Sequence, residues 1–168
     1  MKEIKNTTVY SSNKIKKFLE IYYFERIKTI RIILNILIIM MIIYFFIKQD
    51  INTLDVITFI FALFGILEIN TSILPKLNYY RITKQKDSVI DTKLEYTFKK
   101  NNFKLVSNKE EYIDYNTLKK VIETNDTYYL YVNNSRALIV DKTTLSKDEI
   151  NTLTKIFQEK VYTYKYKK

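Results

Sequence analysis

The chain has no histidine, no cysteine and no tryptophan, and it has a single glycine and a single proline. Without histidine or cysteine it cannot build a Ser-His or Cys-His nucleophile pair or the common zinc sites. It also cannot form a disulfide, which suits a cytoplasmic domain. The one glycine, Gly65, falls in an apolar stretch, so neither a P-loop nor a dinucleotide-binding loop can be written. The carboxylates are scattered. Glu110-Glu111 sits at an expected hairpin, where a solvated pair is the default. No catalytic, metal or cofactor residue is assignable, and the chain is expected not to be an enzyme.

Long uncharged runs are what the chain does have. Ile32 to Ile47, IILNILIIMMIIYFFI, carries no charge, and Asn35 is its strongly polar member. A second apolar run, VITFIFALFGI, covers Val56 to Ile66 and continues less purely to Leu74. A helix rises about 1.5 Å per residue, so crossing ~30 Å of hydrocarbon takes roughly 20 residues. Thr29, Ile30 and a snorkelling Arg31 bring the first run to that length. A soluble core of this size has room for one such helix but not for two in succession. A cleaved leader fits poorly, because the run starts far from Met1 and lacks an Ala-x-Ala-like site. The expectation is a membrane helical hairpin with spans at about 29–48 and 54–74.

The charges set its orientation. Lys2, Lys5, Lys14, Lys16, Lys17, Arg26, Lys28 and Arg31 precede the first run, and Lys76, Arg81, Lys84 and Lys86 follow the second. The connector KQDINTLD holds one lysine and two aspartates. Basic flanks stay on the cytoplasmic side, so both termini are expected inside a multi-pass cell-membrane protein. The net charge of +10 is then explained by anchoring beside anionic lipid. No basic stripe with aromatics on a recognisable motif points to nucleic acid.

Three polar residues fall inside the hairpin: Asn35, Glu68 and Asn70. Folding about the connector sets Asn35 level with Glu68, with Arg31 one turn nearer the cytoplasm. Glu68 then serves either as part of a proton-linked polar pathway or as a structural, interfacial residue. Glu68→Gln separates these, disabling the first and sparing a binding module. Pro75 is expected to end the second helix. Residues 1–28 form an N-terminal strand and amphipathic arm. Ile15, Phe18, Leu19, Tyr22 and Tyr23 recur there at helical spacing, and Ser12 or Asn13 is placed to cap the helix start. That face lies on the inner leaflet, or packs on the C-terminal domain, or extends the first span.

From about Ser88 the period changes to two. In TKLEYTFK, Leu94, Tyr96 and Phe98 face one way and Lys93, Glu95, Thr97 and Lys99 the other, as in a half-buried strand. Short strands follow at Phe103–Ser107, Tyr112–Asp114, Leu118–Thr124, Tyr128–Val132 and Ala137–Val140, with turn residues between them. Ser146 and Glu149 form a capping box for a last helix, whose stripe reads Ile150, Leu153, Ile156 or Phe157, Val161 and Tyr164. The expected fold of 88–168 is α+β and pleckstrin-homology-like (PH-like), a bent antiparallel sheet of about seven short strands capped by the C-terminal helix.

The stretch Ile113 to Lys160 carries a resemblance. Tyr115 precedes a strand with Leu118, Val121 and Glu123, Tyr128 to Tyr131 follow as an aromatic-rich strand, and Ile139 to Leu145 read IVDKTTL. In these features the chain resembles the YcxB-like family of bacterial membrane proteins, departing from its pattern at Asp141, where proline is frequent, and in having a tyrosine where tryptophan is frequent. The resemblance implies two membrane helices and a C-terminal PH-like domain; it implies no activity. Together these readings make the chain a membrane-anchored binding or scaffold protein. Its expected partners are the lipid bilayer and a protein or a second copy of itself. Lipid headgroups would meet Lys76, Arg81, Lys84 and Lys86, joined by Lys99, Lys100 and Lys104. A protein would meet outward-facing Tyr129 and Tyr131. An immunity protein against a bacteriocin, or a component of an oligomeric transporter or sensor, is the alternative.

Overall fold

Ile4, Asn6 and Thr8 are buried and their neighbours exposed, so the first strand, β1 (Ile4–Val9), alternates with polar residues on part of its inner side. The computed structural model describes residues 3–48, 52–70, 73–84, 89–133 and 136–167, without the side chains of Phe46, Ile66, Glu68, Ile69, Asn70, Ile73 and Leu74. Two compact units result: Met1–Lys14 with Val89–Lys168, and Ile15–Ser88.

The first unit is α+β. β1, β2 (Lys93–Phe98), β3 (Asn102–Val106) and β4 (Glu110–Asp114) form one antiparallel sheet in chain order. The second sheet has the order β7-β6-β5-β8, from β5 (Lys120–Glu123), β6 (Thr127–Tyr131), β7 (Ala137–Asp141) and β8 (Tyr164–Tyr166). A helix, here α4 (Lys147–Lys160), precedes β8, which returns parallel to β5. The expected single bent sheet is therefore two four-stranded sheets. The N-terminal strand adds itself to the first sheet and the tail to the second. Tyr164 belongs to β8 and not to the helical stripe, because the helix ends at Lys160 and Val161 is already extended.

The core lies between the sheets and α4. Leu94, Tyr96 and Phe98 enter it from β2, as their alternation predicts, and Val121, Tyr128, Leu130 and Val140 enter from the second sheet. Phe157 of α4 is the hub. Its ring lies edge-on to Phe98 at 6.3 Å, Tyr115 at 5.8 Å and Tyr128 at 5.2 Å, within the favoured range for aromatic pairs. The capping box is present: the Ser146 hydroxyl accepts the Glu149 amide, and the Glu149 carboxylate accepts the Ser146 amide at 2.9 Å.

The chain leaves this unit after β1 and returns at β2, so the helical segment is an insertion between two paired strands. The exits lie side by side, with Tyr10 N–H donating to Thr92 at 3.0 Å and Asp91 N–H donating to Tyr10 at 3.1 Å. Asp91 takes a positive φ of 62°, a conformation that aspartate tolerates better than most residues.

The inserted helices are α1 (Ser12–Ile47), α2 (Thr53–Asn70) and α3 (Ile73–Lys84). At 36 residues α1 is about 54 Å long, more than a bilayer requires. Asn52 and Asp55 cap α2 reciprocally, each side chain accepting the other's amide, at 2.9 and 3.1 Å. Lys48 pairs with Asp55 across the connector, and the rings of Phe45 and Phe59 meet at 5.0 Å. Pro75 does not end the second helix. Pro75 lies within helix, in α3, while the expected helix end before it falls beside residues 71–72, outside the described residues. α3 approaches the start of α1, with Lys16 4.8 Å above the Tyr79 ring.

Candidate functional site

Three polar assemblies occupy the described residues. The first lies along the free edge of β7. Ile139 N–H donates to the Tyr10 hydroxyl at 2.8 Å, and the Ile139 carbonyl accepts from Tyr96 at 2.9 Å. Asp141 N–H donates to Thr8 Oγ1 at 2.9 Å, and its carbonyl accepts from Asn6 at 2.7 Å. An unpaired edge exposes alternate backbone groups, and here side chains from β1, from Tyr10 just after it and from β2 satisfy them in place of a strand. The Asp141 side chain is bound as well, by Lys14 and by the Thr143 amide at 2.9 Å and hydroxyl at 2.7 Å. Burial opposes its ionisation, but these donors outweigh it and hold the carboxyl below its ordinary range. Burial pushes the Tyr10 hydroxyl up, and pushes Tyr96 well up together with the neighbouring Tyr10. A proline at 141 would lack the N–H given to Thr8, so this seam needs a residue with a backbone N–H at that position.

The second assembly is a buried ion pair. Lys142 Nζ lies 2.5 Å from Glu123 Oε1, with both side chains 7% exposed, and also donates to the Thr124 carbonyl at 2.9 Å. The other Glu123 oxygen accepts from Thr154 at 3.3 Å and from the Tyr164 hydroxyl. Tyr128 lies beneath Lys142, 5.0 Å from its ring centre, and shares a hydrogen bond with Thr154 at 2.8 Å. Burial pushes the Tyr128 hydroxyl up to about 12. A lone buried charge is costly, and here each is matched and hydrogen-bonded. The cluster ties β5, β6, α4 and β8 together at one point.

The third is basic and lies on α3. Leu77, Tyr80, Arg81 and Lys84 follow helical spacing on one exposed face, with Lys76 beside them. Among the described residues no ion pair involves Lys76, Arg81 or Lys84, whereas in the α+β unit Lys93, Lys104 and Arg136 are paired with Glu95, Glu110 and Glu111. A cleft of about 360 Å³ between α1 and α3 is lined by Lys16, Glu20, Pro75, Lys76, Tyr79 and Tyr80.

The expected residues therefore separate. Lys86 lies outside the described residues, as do the side chains of Glu68 and Asn70. Asn35 is half-buried on α1. Arg31 reaches back toward the Phe24 ring, 5.1 Å away, in the sense a snorkelling side chain takes. Lys99 and Lys100 sit at the β2–β3 turn, at the end of the sheet opposite the exits, with Lys99 3.2 Å from Glu3. Lys104 is engaged by Glu110 at 2.5 Å. Tyr129 and Tyr131 are not an exposed patch: they are 1% and 5% exposed. The expectation that they face outward as a docking patch therefore fails, because they are buried, as are Tyr128 and Leu130 on the same strand.

Glu123, Lys142, Thr154 and Tyr164 were not legible as a group. Glu123 entered the sequence reading only in the strand that carries the resemblance, and Tyr164 only in the helical stripe, and nothing linked them to Lys142 or Thr154. Asn6 and Thr8 carried a faint signal, polar residues in the inward phase of an alternating strand.

No curated protein and no solved structure matches the chain. A family match covers the β2 end through most of α4, and so includes Glu123, Lys142 and Thr154 but not β1, the inserted helices α1 to α3 or Tyr164. Residues 98–157 match the family model described as YcxB-like protein.

Proposed function

We propose that the chain is a two-span membrane protein that presents a PH-like binding domain at the cytoplasmic face. One observation carries this reading. None of the described side chains in the uncharged half of α1 is buried, with Ile36 51%, Met40 60% and Ile47 74% exposed, and α2 shows Phe61 at 73% and Phe64 at 63%. A core helix of a soluble protein would hide such side chains, and apolar surface on this scale calls for lipid or another protein. The sheet order, with α4 over the core between the sheets, supports the PH-like reading of the α+β unit. The basic face of α3, without a carboxylate partner among the described residues, supports placement of that helix on the anionic inner leaflet.

The absence of cysteine makes the topology measurable without background. In intact cells a Thr53→Cys variant is expected to react with an impermeant maleimide, while Lys109→Cys reacts only after permeabilisation. Equal labelling of both positions in intact cells, or recovery of the chain in the soluble fraction, overturns the reading.

A further inference from the structure

The last strand covers an edge that is built to read its side chains. β5 would be the edge of the second sheet without β8, which contributes only Tyr164–Tyr166. Val121 N–H donates to the Thr163 carbonyl at 2.8 Å, and Lys167 N–H donates to the Glu123 carbonyl at 2.8 Å. Two side-chain acceptors then select tyrosine at alternate positions. The buried Glu123 carboxylate, already fixed by Lys142 and Thr154, accepts the Tyr164 hydroxyl. Asn125 Oδ1 accepts the Tyr166 hydroxyl at 2.6 Å. This is strand addition to a sheet edge, in which the ladder supplies affinity and side-chain acceptors supply specificity.

The strand's attachment is slight. Val161 is the last buried residue before it, and Tyr162 is 93% exposed. The connector thus offers a hinge at which the segment can leave, uncovering only the margin of the core against which Tyr164 packs. A segment of this kind exchanges between identical chains at low cost, since the second copy offers the same ladder and the same acceptors, and reciprocal exchange closes a two-fold dimer.

We propose that the edge of β5 is a docking groove for an extended Tyr-x-Tyr segment, filled in cis by the chain's own tail and in trans by the tail of a second copy. The groove's acceptors match that tail residue by residue. Confinement of the copies to one bilayer, which rests on the function proposed above, raises the effective concentration of the exchanging tails. Exchange makes the α+β unit a homotypic assembly module.

The test uses the full chain in its native membranes. Lys120→Cys and Thr163→Cys, neighbours across the β5–β8 pair that leave Glu123, Asn125, Tyr164 and Tyr166 intact, are placed on two differently tagged copies, co-expressed, and treated with a short bismaleimide. Both positions are partly exposed, and no other thiol is present. Exchange predicts doubly tagged dimers well above the yield from two Thr163→Cys copies. Dimers at or below that background, while the doubly substituted chain is bridged within itself, overturn the proposal and leave the tail a purely intramolecular strand. Recovery of the chain outside the membrane fraction would instead count against the membrane reading, so the two failures are distinguishable.

Discussion

Thr8 Oγ1 accepts the backbone N–H of Asp141 at 2.9 Å, joining the first strand of the chain to the free edge of β7 with no backbone ladder between them. Thr8 is fully buried and also donates to Asn6 Oδ1 at 2.8 Å, so its hydroxyl is used in both senses. Through this contact the strand that leads into α1 is fastened to both sheets of the α+β unit.

Thr8→Val should therefore destabilise the protein by roughly 1–3 kcal/mol, the cost of leaving a buried amide without its acceptor. Chemical denaturation in detergent micelles would show this as a lower midpoint at unchanged slope. Thr7→Val, on the exposed side of the same strand, should change the midpoint little. Equal losses from the two substitutions would mean that the seam contributes nothing beyond strand propensity.

Acid should open the same seam. The Asp141 carboxyl is held below its ordinary value of 3.8, so the folded chain binds fewer protons there than the unfolded one. Stability from this group is present above that value and is lost as pH falls through the lower folded one. Glu111, held down by Arg136, acts in the same direction from its ordinary value of 4.5. A titration monitored by near-ultraviolet circular dichroism should show Asp141→Asn shallower than the parent chain below about pH 4.

Removing one member of the buried ion pair should be severe. Lys142→Met strands a carboxylate beside Tyr128, with an expected loss of about 3–5 kcal/mol. Adding Glu123→Gln should restore much of it, because glutamine still accepts from Thr154 and Tyr164 but carries no charge. A double-mutant cycle by denaturant unfolding measures the coupling, and additive losses would remove the pair from the account.

Alkali should also unfold the α+β unit, with the opposite sign. Burial raises the hydroxyl of Tyr128 from 10.0 to about 12 and raises those of Tyr10, Tyr96 and Tyr115 as well. These groups stabilise the fold fully below their unfolded value and cease to do so as pH rises through the folded one. Tyrosinate absorbance should rise in two phases, the second coinciding with loss of secondary structure. A single phase complete near pH 10 would contradict the burial of these rings.

The α4 cap gives a smaller, local effect. Ser146→Ala removes the acceptor for the Glu149 amide and should cost about 1 kcal/mol. Thermal unfolding with Ser146→Asp as the control should show the loss for alanine and near-parental stability for aspartate.

What the sequence determined alone was everything set by neighbours within a few residues. The uncharged run from Ile32 to Ile47 settles a long apolar helix, because nothing in it favours any other structure in an apolar phase. The alternation of Leu94, Tyr96 and Phe98 settles a strand and its inward face, and Ser146 with Glu149 settles where α4 begins. Pro75 was ambiguous even locally, since a proline stands just past a helix end in some chains and within a helix in others, and here it is helical. The tertiary structure decided what lies far apart along the chain. It placed β1 beside β2 across the whole helical insertion, joined Glu123 to Lys142 and Tyr164, and covered the outer face on which Tyr129 and Tyr131 lie. Periodicity reports which side of a strand a residue faces. What meets that side is a matter of packing, and packing is decided by contacts that no local pattern contains.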